Sequence, residues 1–224
     1  MKVAIIGTGN TGKEVISLLK KDEISGIYNT KNPVTIDQLK KSDGAIVFIP
    51  GSAFLEILPL LISSGKPVIC GSTGLQLPTD IDDELKKRKL TWVHANNFSL
   101  GMNLVKEMIE VLSNAEKILP EPKFTLKEVH HQNKKDTPSG TALNWQRWLK
   151  KDIEIESVRT GDVVGTHELN VKTPYETITL RHESQSRSLF ASGAIWTLKR
   201  LVEDNDFGFG LLKFEDIVRN KFKI

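Results

Sequence analysis

The sequence predicts an α/β protein with an N-terminal Rossmann-like, doubly wound parallel sheet and a smaller α+β domain that carries a mixed or antiparallel sheet. Three observations predict this class. A strand, a glycine turn and a helix stand at the N-terminus, strands alternate with helices over the first half, and strands dominate after Pro122. With 224 residues, 39% of them hydrophobic, the chain can bury the core of one large or two small domains.

Charge and cysteine content exclude several classes of function. The net charge of +3 is spread over 31 basic and 28 acidic residues, so we predict no nucleic-acid and no membrane partner. The pI near 8.8 mildly favours small anions. Cys70 has no second cysteine to pair with and closes an apolar run, which predicts burial rather than nucleophilic use. Because Met1 leads directly into a strand-like segment, we expect a cytoplasmic protein.

The first strand, Lys2 to Ile6, leads into the turn Gly7-Thr8-Gly9-Asn10-Thr11-Gly12, and a helical apolar pattern follows. In a dinucleotide site the first glycine of this spacing permits the tight turn and the second lets the backbone approach a pyrophosphate. The third lets the helix pack closely. A merely structural turn is the alternative, but the strand-to-helix context favours a dinucleotide site.

The second strand, Ile24 to Tyr28, ends in Asn29-Thr30-Lys31. An acidic residue usually binds the adenosine ribose at this position, and none stands here. Lys31 would suit a 2′-phosphate and so favours NADP(H), although an exposed loop lysine is common. We therefore predict NADPH or NADH as the cofactor.

The remaining elements of the first half alternate between helix and strand. Ligands of such sheets bind beyond the carboxyl ends of the strands, which predicts binding positions in the segments that follow two of them. Turn glycines and a helix cap at Ser99 are the alternatives. The predicted elements are a helix at Ile36–Lys41, a strand at Gly44–Ile49, a helix at Phe54–Ser63, a strand at Pro67–Cys70 before Gly71-Ser72-Thr73-Gly74, a charged helix at Asp80–Lys89, a strand at Thr91–His94 before Ala95-Asn96-Asn97-Phe98, and an amphipathic helix with Leu104, Met108, Ile109, Val111 and Leu112.

After Pro122 the alternating pattern indicates a sheet with one face exposed or covered by a partner. A helix follows from Arg187 to about Leu201, and we expect the apolar segment Phe209 to Val218 to return to the core of the first domain. The predicted strands are Phe124–His130, Glu156–Val158, Thr166–Lys172 and Thr177–Glu183.

The stretch Glu128 to Ala142 carries the clearest chemistry. It places His130, His131 and Lys134 just ahead of a Pro-Ser-Gly-Thr helix start. Ser139 is a good N-cap, and the free N–H groups of Gly140 and Thr141 suit a carboxylate or phosphate. Histidine and lysine beside such a cradle suggest acid catalysis on an acidic substrate. Solvated loop polarity and a simple helix cap are the alternatives.

Taken together, these stretches resemble the dihydrodipicolinate reductase family, also called 4-hydroxy-tetrahydrodipicolinate reductase, of the diaminopimelate and lysine pathway. The specific part is the pattern Glu-x-His-His-x-x-Lys-x-Asp-x-Pro-Ser-Gly-Thr-Ala. The matching segments are Gly7 to Gly12, Gly71 to Gly74, Asn97 to Ser99 with Gly101 and Asn103, Glu128 to Ala142, Arg159 to Asp162 with Gly165, and Arg187 to Ala194.

The resemblance implies a dinucleotide-binding domain at 1–101 and 188–224, a substrate-binding and oligomerisation domain at 102–187, and a homotetramer. It makes His130 the proton donor, Lys134 a second acid and substrate contact, and His131 a substrate-binding residue. Ser139, Gly140 and Thr141 would hold a substrate carboxylate, which makes the substrate a small dicarboxylate. The implied cofactor residues are Gly7, Thr8, Gly9, Asn10, Thr11, Gly12, Gly71, Ser72, Thr73, Ala95, Asn96, Asn97 and Phe98, and no metal is implied. Lys31 joins them only through the argument from the residues given above.

Two departures from the family pattern occur, both in the first domain. Asn29-Thr30-Lys31 replaces the acidic residue that often follows the second strand, and Val47 stands where members commonly carry aspartate. Two other functions remain open from the residues alone: a small NAD(P)-dependent oxidoreductase of another amino or keto diacid, and a non-enzymatic dinucleotide-binding module.

Overall fold

The computed structural model describes residues 1–204 and 206–222 and divides the chain into two compact units. The first unit comprises Met1–Ser99 and Arg187–Ile224, and the second comprises Leu100–Ser186. The predicted fold class is confirmed: a six-stranded parallel sheet with helices lies in the first unit and a four-stranded mixed sheet lies in the second.

The helices and strands alternate through the first unit before the second begins. In chain order they are β1 (Val3–Ile6), α1 (Asn10–Leu18), β2 (Ile24–Tyr28), α2 (Ile36–Lys40), β3 (Gly44–Val47), α3 (Gly51–Ser64), β4 (Val68–Cys70), α4 (Ile81–Lys87), β5 (Thr91–His94), α5 (Leu100–Leu112), β6 (Lys123–His130), α6 (Gly140–Leu149), β7 (Ile155–Arg159), β8 (Gly165–Lys172), β9 (Thr177–Ser184), α7 (Ser188–Glu203), β10 (Gly210–Lys213) and α8 (Phe214–Phe222).

The first sheet has the strand order β10-β5-β4-β3-β1-β2, and every neighbouring pair is parallel. Strands β1, β3 and β4 are buried along their whole length, as expected for a parallel sheet covered on both faces. The chain runs from β1 to β2 on one side and continues at β3 on the other side of β1. Such a change of direction opens a crevice at the carboxyl ends of the central strands.

The C-terminal segment returns to the first unit, as the sequence predicts. Phe214, Ile217 and Val218 are buried there. Residues Gly210–Lys213 also form the edge strand β10 beside β5, which the apolar pattern did not predict. A strand of only four residues is too short to show a clear alternation.

The second sheet has the order β7-β6-β8-β9, with β6 parallel to β7 and antiparallel to β8. Apolar residues of β6 and β8 pack against α5 and α6; the buried members of this cluster are Met102, Val105, Ile109, Leu126, Ala142, Trp145, Leu149 and Leu169. Along β6, Leu126, Glu128 and His130 are buried, whereas Lys127 between them is exposed. Because successive side chains on a strand point to opposite faces, Glu128 and His130 share one covered face of the sheet.

Helix α5 is amphipathic, but its buried face differs from the predicted one. Leu104, Met108 and Val111 are exposed. Of the predicted residues Ile109 is buried, and Met102 and Val105 fill the core beside it. The apolar residues of α5 extend around more than one face, so the spacing alone does not identify the side that packs.

Candidate active site

The loop that joins β6 to α6 is anchored to the segment that follows β7. The Thr160 N–H donates to the His130 carbonyl oxygen over 2.9 Å, and the Gln132 N–H donates to the Gly161 carbonyl oxygen over 3.2 Å. These bonds continue the pairing of β6 with β7 beyond the sheet. The His-His-x-x-Lys stretch is therefore held by backbone contacts at its N-terminal end.

Glu128 lies at the centre of a buried polar network, and its side chain has no solvent exposure. One carboxylate oxygen, Oε2, accepts from Nδ1 of His130. The other, Oε1, accepts from Nη2 of Arg159 at 2.7 Å and from the Ser139 N–H at 3.3 Å. Burial alone would raise the pKa of Glu128, but the hydrogen bonds from Arg159 and His130 outweigh it and lower the pKa to about 2. The carboxylate is therefore ionised at neutral pH.

His130 is 7% exposed and stands at the end of β6. Its ring meets that of His167 edge to face, with 5.1 Å between the ring centroids. Burial lowers the pKa of His130, and the neighbouring Glu128 carboxylate opposes that change. Gly165, the first residue of β8, lies next to the other ring nitrogen: a Cβ added there would stand 2.9 Å from Nε2. A side chain at this position would collide with the imidazole, so glycine allows β8 to pack close to His130.

His167 connects the network to the start of α6. Its Nε2 shares a hydrogen bond of 3.1 Å with Ser139 Oγ, and that hydroxyl oxygen also accepts from the Ala142 N–H at 3.2 Å. Burial, with the nearby His130, lowers the pKa of His167 to about 3, so this imidazole is neutral. Ser139 is itself 2% exposed, so its side chain caps the helix from the buried side.

Glu128, His130 and His167 place possible ligand atoms within 4.8 Å of one another, which is a spacing that would also suit a metal ion. Arg159 already supplies a positive charge to Glu128 at 2.7 Å. Each of the three side chains also has a hydrogen-bond partner in the network. We therefore interpret the cluster as a hydrogen-bonded network.

The N-terminus of α6 forms an open anion cradle. Ser139 is the N-cap, as the sequence predicts, and the first turn reads Gly140-Thr141-Ala142-Leu143 without a carboxylate. Gly140 is exposed, and Thr141 is partly exposed. The Gly140 N–H donates to the carboxylate of Asp136, which lies in the preceding loop. An anion from outside would take the place of that carboxylate at the positive end of the helix dipole.

His131 and Lys134 lie in the loop between His130 and this cradle. The Lys134 N–H donates to the His131 carbonyl oxygen at 3.1 Å, which makes a tight turn. The Lys134 ammonium group pairs with Asp136 at 2.8 Å and keeps 23% of its side-chain surface exposed. The hydrogen bond from Lys134 lowers the pKa of Asp136. A cation is thus held in the loop but remains accessible from solvent.

The glycine turn of the first unit has the geometry that a pyrophosphate requires. Gly7 has a φ of +109°, and an added Cβ would overlap the Phe48 carbonyl group. A Cβ at Gly12 would overlap the carbonyl of Gly7. At Gly9, by contrast, no heavy atom of the described residues lies within 4 Å of an added Cβ. Gly9 is also the N-cap of α1, so this open backbone leads to a free helix N-terminus.

The other predicted cofactor residues follow β2, β4 and β5 at the same edge of the sheet. Lys31 is exposed, and a cavity of about 310 Å³ lies beside it, lined in part by Tyr28, Asn29 and Thr30. Gly71, Ser72 and Thr73 come directly after β4, and Ala95, Asn96, Asn97 and Phe98 come directly after β5. Phe98 is 1% exposed and packs against Phe48 and Phe214, so only its backbone is available to a ligand.

Cys70 is buried and free, as the apolar run predicts. Burial raises the pKa of its thiol to about 11, so it is not a thiolate at neutral pH. Within residues 1–204 and 206–222, we find no helix long and apolar enough to span a membrane.

The sequence analysis did not identify four residues of the network: Glu128, Arg159, Gly165 and His167. Glu128 carries a usable signal, because it precedes His130 by two positions on one strand and so shares its face. Arg159 and His167 come from β7 and β8, and their contacts depend on strand register. The glycine-bounded segment between those strands was noted only for its similarity to the family.

Comparisons with known proteins identify the family and support the fold of the chain. Residues 101–218 match the family model described as dihydrodipicolinate reductase, C-terminus. A 4-hydroxy-tetrahydrodipicolinate reductase of Thermosipho africanus is 34% identical over 99% of this chain and 94% of its own. One of Bdellovibrio bacteriovorus is 28% identical over 100% of this chain and 98% of its own. A dipicolinate-bound dihydrodipicolinate reductase from Paenisporosarcina sp. TG-14 shares the fold, with a TM-score of 0.78, 21% identity and 97% and 99% coverage of the two chains.

Proposed function

Because the chain belongs to the dihydrodipicolinate reductase family, we propose that it reduces 4-hydroxy-tetrahydrodipicolinate to tetrahydrodipicolinate with NADPH or NADH. This is the reduction step of diaminopimelate and lysine biosynthesis. The observation that carries the proposal is the hydrogen bond between Glu128 and the Ser139 N–H, because it joins the histidine network to the anion cradle of α6. An acid and a carboxylate site in one loop suit a dicarboxylate that must be protonated.

The proposed chemistry assigns separate tasks to the residues of the loop. One substrate carboxylate replaces Asp136 at the Gly140 N–H and also accepts from the Thr141 N–H, after the Ser139 N-cap, and Lys134 neutralises charge on the substrate. His131 contributes to substrate binding. The 4-hydroxyl group leaves as water to give the cyclic unsaturated imine, and the reduced nicotinamide, when bound, would supply the hydride to its C4. His130 then protonates the resulting enamine carbon.

The first unit is proposed to hold the cofactor. The turn from Gly7 to Gly12 would bind the pyrophosphate, and the segments after β4 and β5 would contact the nicotinamide end. NADPH is the preferred cofactor in this proposal. Asn29 Oδ1 accepts from the Lys31 N–H at 2.9 Å and the Asn32 N–H at 3.1 Å, so it is engaged by its own loop. Exposed Lys31 is then the charged group available to a 2′-phosphate.

The second unit is proposed to assemble a cytoplasmic homotetramer. One face of its sheet lies away from the apolar core cluster and carries Lys127, Glu168, Arg181 and Glu183 around a cavity of about 450 Å³. Arg181 pairs with Glu183 at 2.9 Å on this face. Sedimentation velocity at several protein concentrations tests the assembly: a tetramer is expected, and a monomer at every concentration would contradict it.

A coupled assay tests the function. Dihydrodipicolinate synthase generates the substrate in the cuvette, and oxidation of NADPH and NADH is followed separately by absorbance. We expect oxidation that depends on both enzymes. Oxidation with another amino or keto diacid, but not with this substrate, would favour a different oxidoreductase. Cofactor binding without oxidation in any of these mixtures would favour a non-enzymatic dinucleotide-binding module.

A further inference from the structure

The proposed function leaves open which nitrogen of His130 delivers the proton and what fixes the ring. Two groups face its nitrogens from different strands. Glu128 of β6 contacts Nδ1, whereas the backbone of Gly165 in β8 packs beside Nε2. The two sides of the imidazole are therefore not equivalent.

Glu128 determines the position of one proton on this ring. It is fully buried and ionised, so both of its oxygens act only as acceptors. Nδ1 of His130 must carry hydrogen in order to bond with Oε2. In the neutral ring the second nitrogen is then an acceptor, and in the charged ring it carries the transferable proton.

Arg159 keeps the carboxylate in place. Its Nη2 atom donates to Glu128 Oε1 at 2.7 Å and to the Asp136 carbonyl oxygen at 2.7 Å. The same Oε1 accepts the Ser139 N–H at 3.3 Å. Oε2 of Glu128 thus fixes the histidine. Oε1 fixes the loop through Arg159 and the start of α6 through Ser139.

From this geometry we propose that Glu128 is a positioning residue that holds Nδ1–H of His130, so that the proton reaches the substrate from Nε2. In the proposed step the Nε2–H bond breaks and a C–H bond forms at the enamine carbon. The ring becomes neutral and keeps Nδ1–H on Glu128, and solvent restores the proton. The inference rests on the proposed function, because a positioning role requires that His130 be the acid.

Four charged or titratable groups surround His130 and set its titration. Glu128 on the same strand favours the protonated ring, whereas Arg159 of β7 and Lys134 of the loop oppose it. His167 of β8 lies across the ring. Replacing Glu128 by glutamine removes the only one of these groups that attracts the proton, so the acid form is lost at lower pH.

The test compares Glu128→Gln with Glu116→Gln. Glu116 is a matched control because it is an exposed carboxylate of the same unit, paired with Lys151 at 2.6 Å. We expect Glu128→Gln to lower kcat at least about tenfold. This loss is a part of the hundredfold to ten-thousandfold that a positioned general acid contributes. In the pH profile of kcat for this variant, the basic limb should move to lower pH by about one unit. The KM for NADPH stays unchanged, and Glu116→Gln behaves as the wild type in every respect.

Two further measurements keep the proposal testable if Glu128→Gln does not fold. Nitrogen-15 spectra of the wild type report the tautomer of neutral His130 directly, and we expect hydrogen on Nδ1. Gly165→Ala would place a methyl group 2.9 Å from Nε2 without changing charge, so it should displace the imidazole and lower kcat. Hydrogen on Nε2 in the wild type, or a wild-type pH profile in folded Glu128→Gln, would overturn the positioning role. A wild-type enzyme that does not oxidise NADPH or NADH with the substrate would overturn the proposed function instead, and the tautomer spectrum separates the two failures.

Discussion

We propose anion sites at the helix starts of α1 and α6, and the two differ in the groups that form them. At α1 the site is formed by backbone. Gly7 and Gly12 allow the backbone to turn tightly, and Gly9 leaves it accessible to a ligand. At α6 the site depends on buried polar side chains, because the N–H of Ser139 bonds to Glu128 and its hydroxyl bonds to His167. A site that only binds a pyrophosphate needs backbone, whereas a site that also moves a proton needs side chains fixed in one orientation.

The largest expected effect comes from removing the acid at α6. His130→Ala should lower kcat by about a hundredfold to ten-thousandfold, because it removes the group proposed to protonate the substrate carbon. Lys134→Ala should also lower turnover strongly. Steady-state kinetics with substrate made in place gives kcat, and a cofactor titration on the same samples should give the wild-type Kd. Near-normal turnover in both variants would show that neither His130 nor Lys134 is the acid.

The glycine turn should respond in the opposite way. Gly9→Ala adds a methyl group only where a ligand would lie, so the Kd for NADPH should rise about tenfold, or about 1.4 kcal/mol. The free energy of unfolding should change by less than about 0.5 kcal/mol.

Gly12→Ala is the matched comparison for that variant. Its methyl group would overlap the carbonyl of Gly7, so the variant should lose about 1–3 kcal/mol of stability as well as cofactor affinity. Urea unfolding and fluorescence titration separate the two effects. If Gly9→Ala is destabilised as much as Gly12→Ala, the open backbone at Gly9 is not a ligand site.

The contrast between the two regions also explains what the sequence predicted. The glycine spacing is local, so both the turn and its cofactor role could be predicted from six consecutive positions. At α6 the N-cap Ser139 and the histidines were likewise local and predictable. Arg159 and His167 reach Glu128 and Ser139 only through the register of β7 and β8 on β6, which no local pattern specifies. Strand β10 was missed for the same reason, because it forms by pairing with β5.

Acid should weaken the second unit through His167. Its pKa is about 3 in the folded protein and 6.5 in the reference state, so the unfolded chain binds the additional proton between these values. Stability therefore falls as pH drops below 6.5, by about 1.4 kcal/mol per unit at most. Glu128 contributes in the same direction at lower pH, because its pKa falls from 4.5 to about 2 on folding.

His167→Asn tests this contribution. The change in unfolding free energy between pH 6.5 and 5.5 should be smaller in the variant than in the wild type by about 1 kcal/mol. Urea unfolding at the two pH values measures the difference. An equal pH dependence in the two proteins would show that His167 is not kept neutral by burial.

The smallest expected effect concerns cofactor choice at the end of β2. Lys31→Ala should raise the KM for NADPH by about threefold to tenfold through the loss of one exposed charge contact, and should leave the KM for NADH unchanged. Initial rates with each cofactor measure this. Equal effects on both cofactors would mean that Lys31 does not contact the 2′-phosphate.

The division of labour between the glycine turn and the loop before α6 is tested most directly by titrating NADPH into Gly9→Ala, His130→Ala and the double variant. We predict that His130→Ala binds like the wild type and that the double variant binds like Gly9→Ala, each within about 0.5 kcal/mol. A loss of cofactor affinity in His130→Ala as large as that in Gly9→Ala would contradict a backbone site for the cofactor and a separate side-chain site for the chemistry.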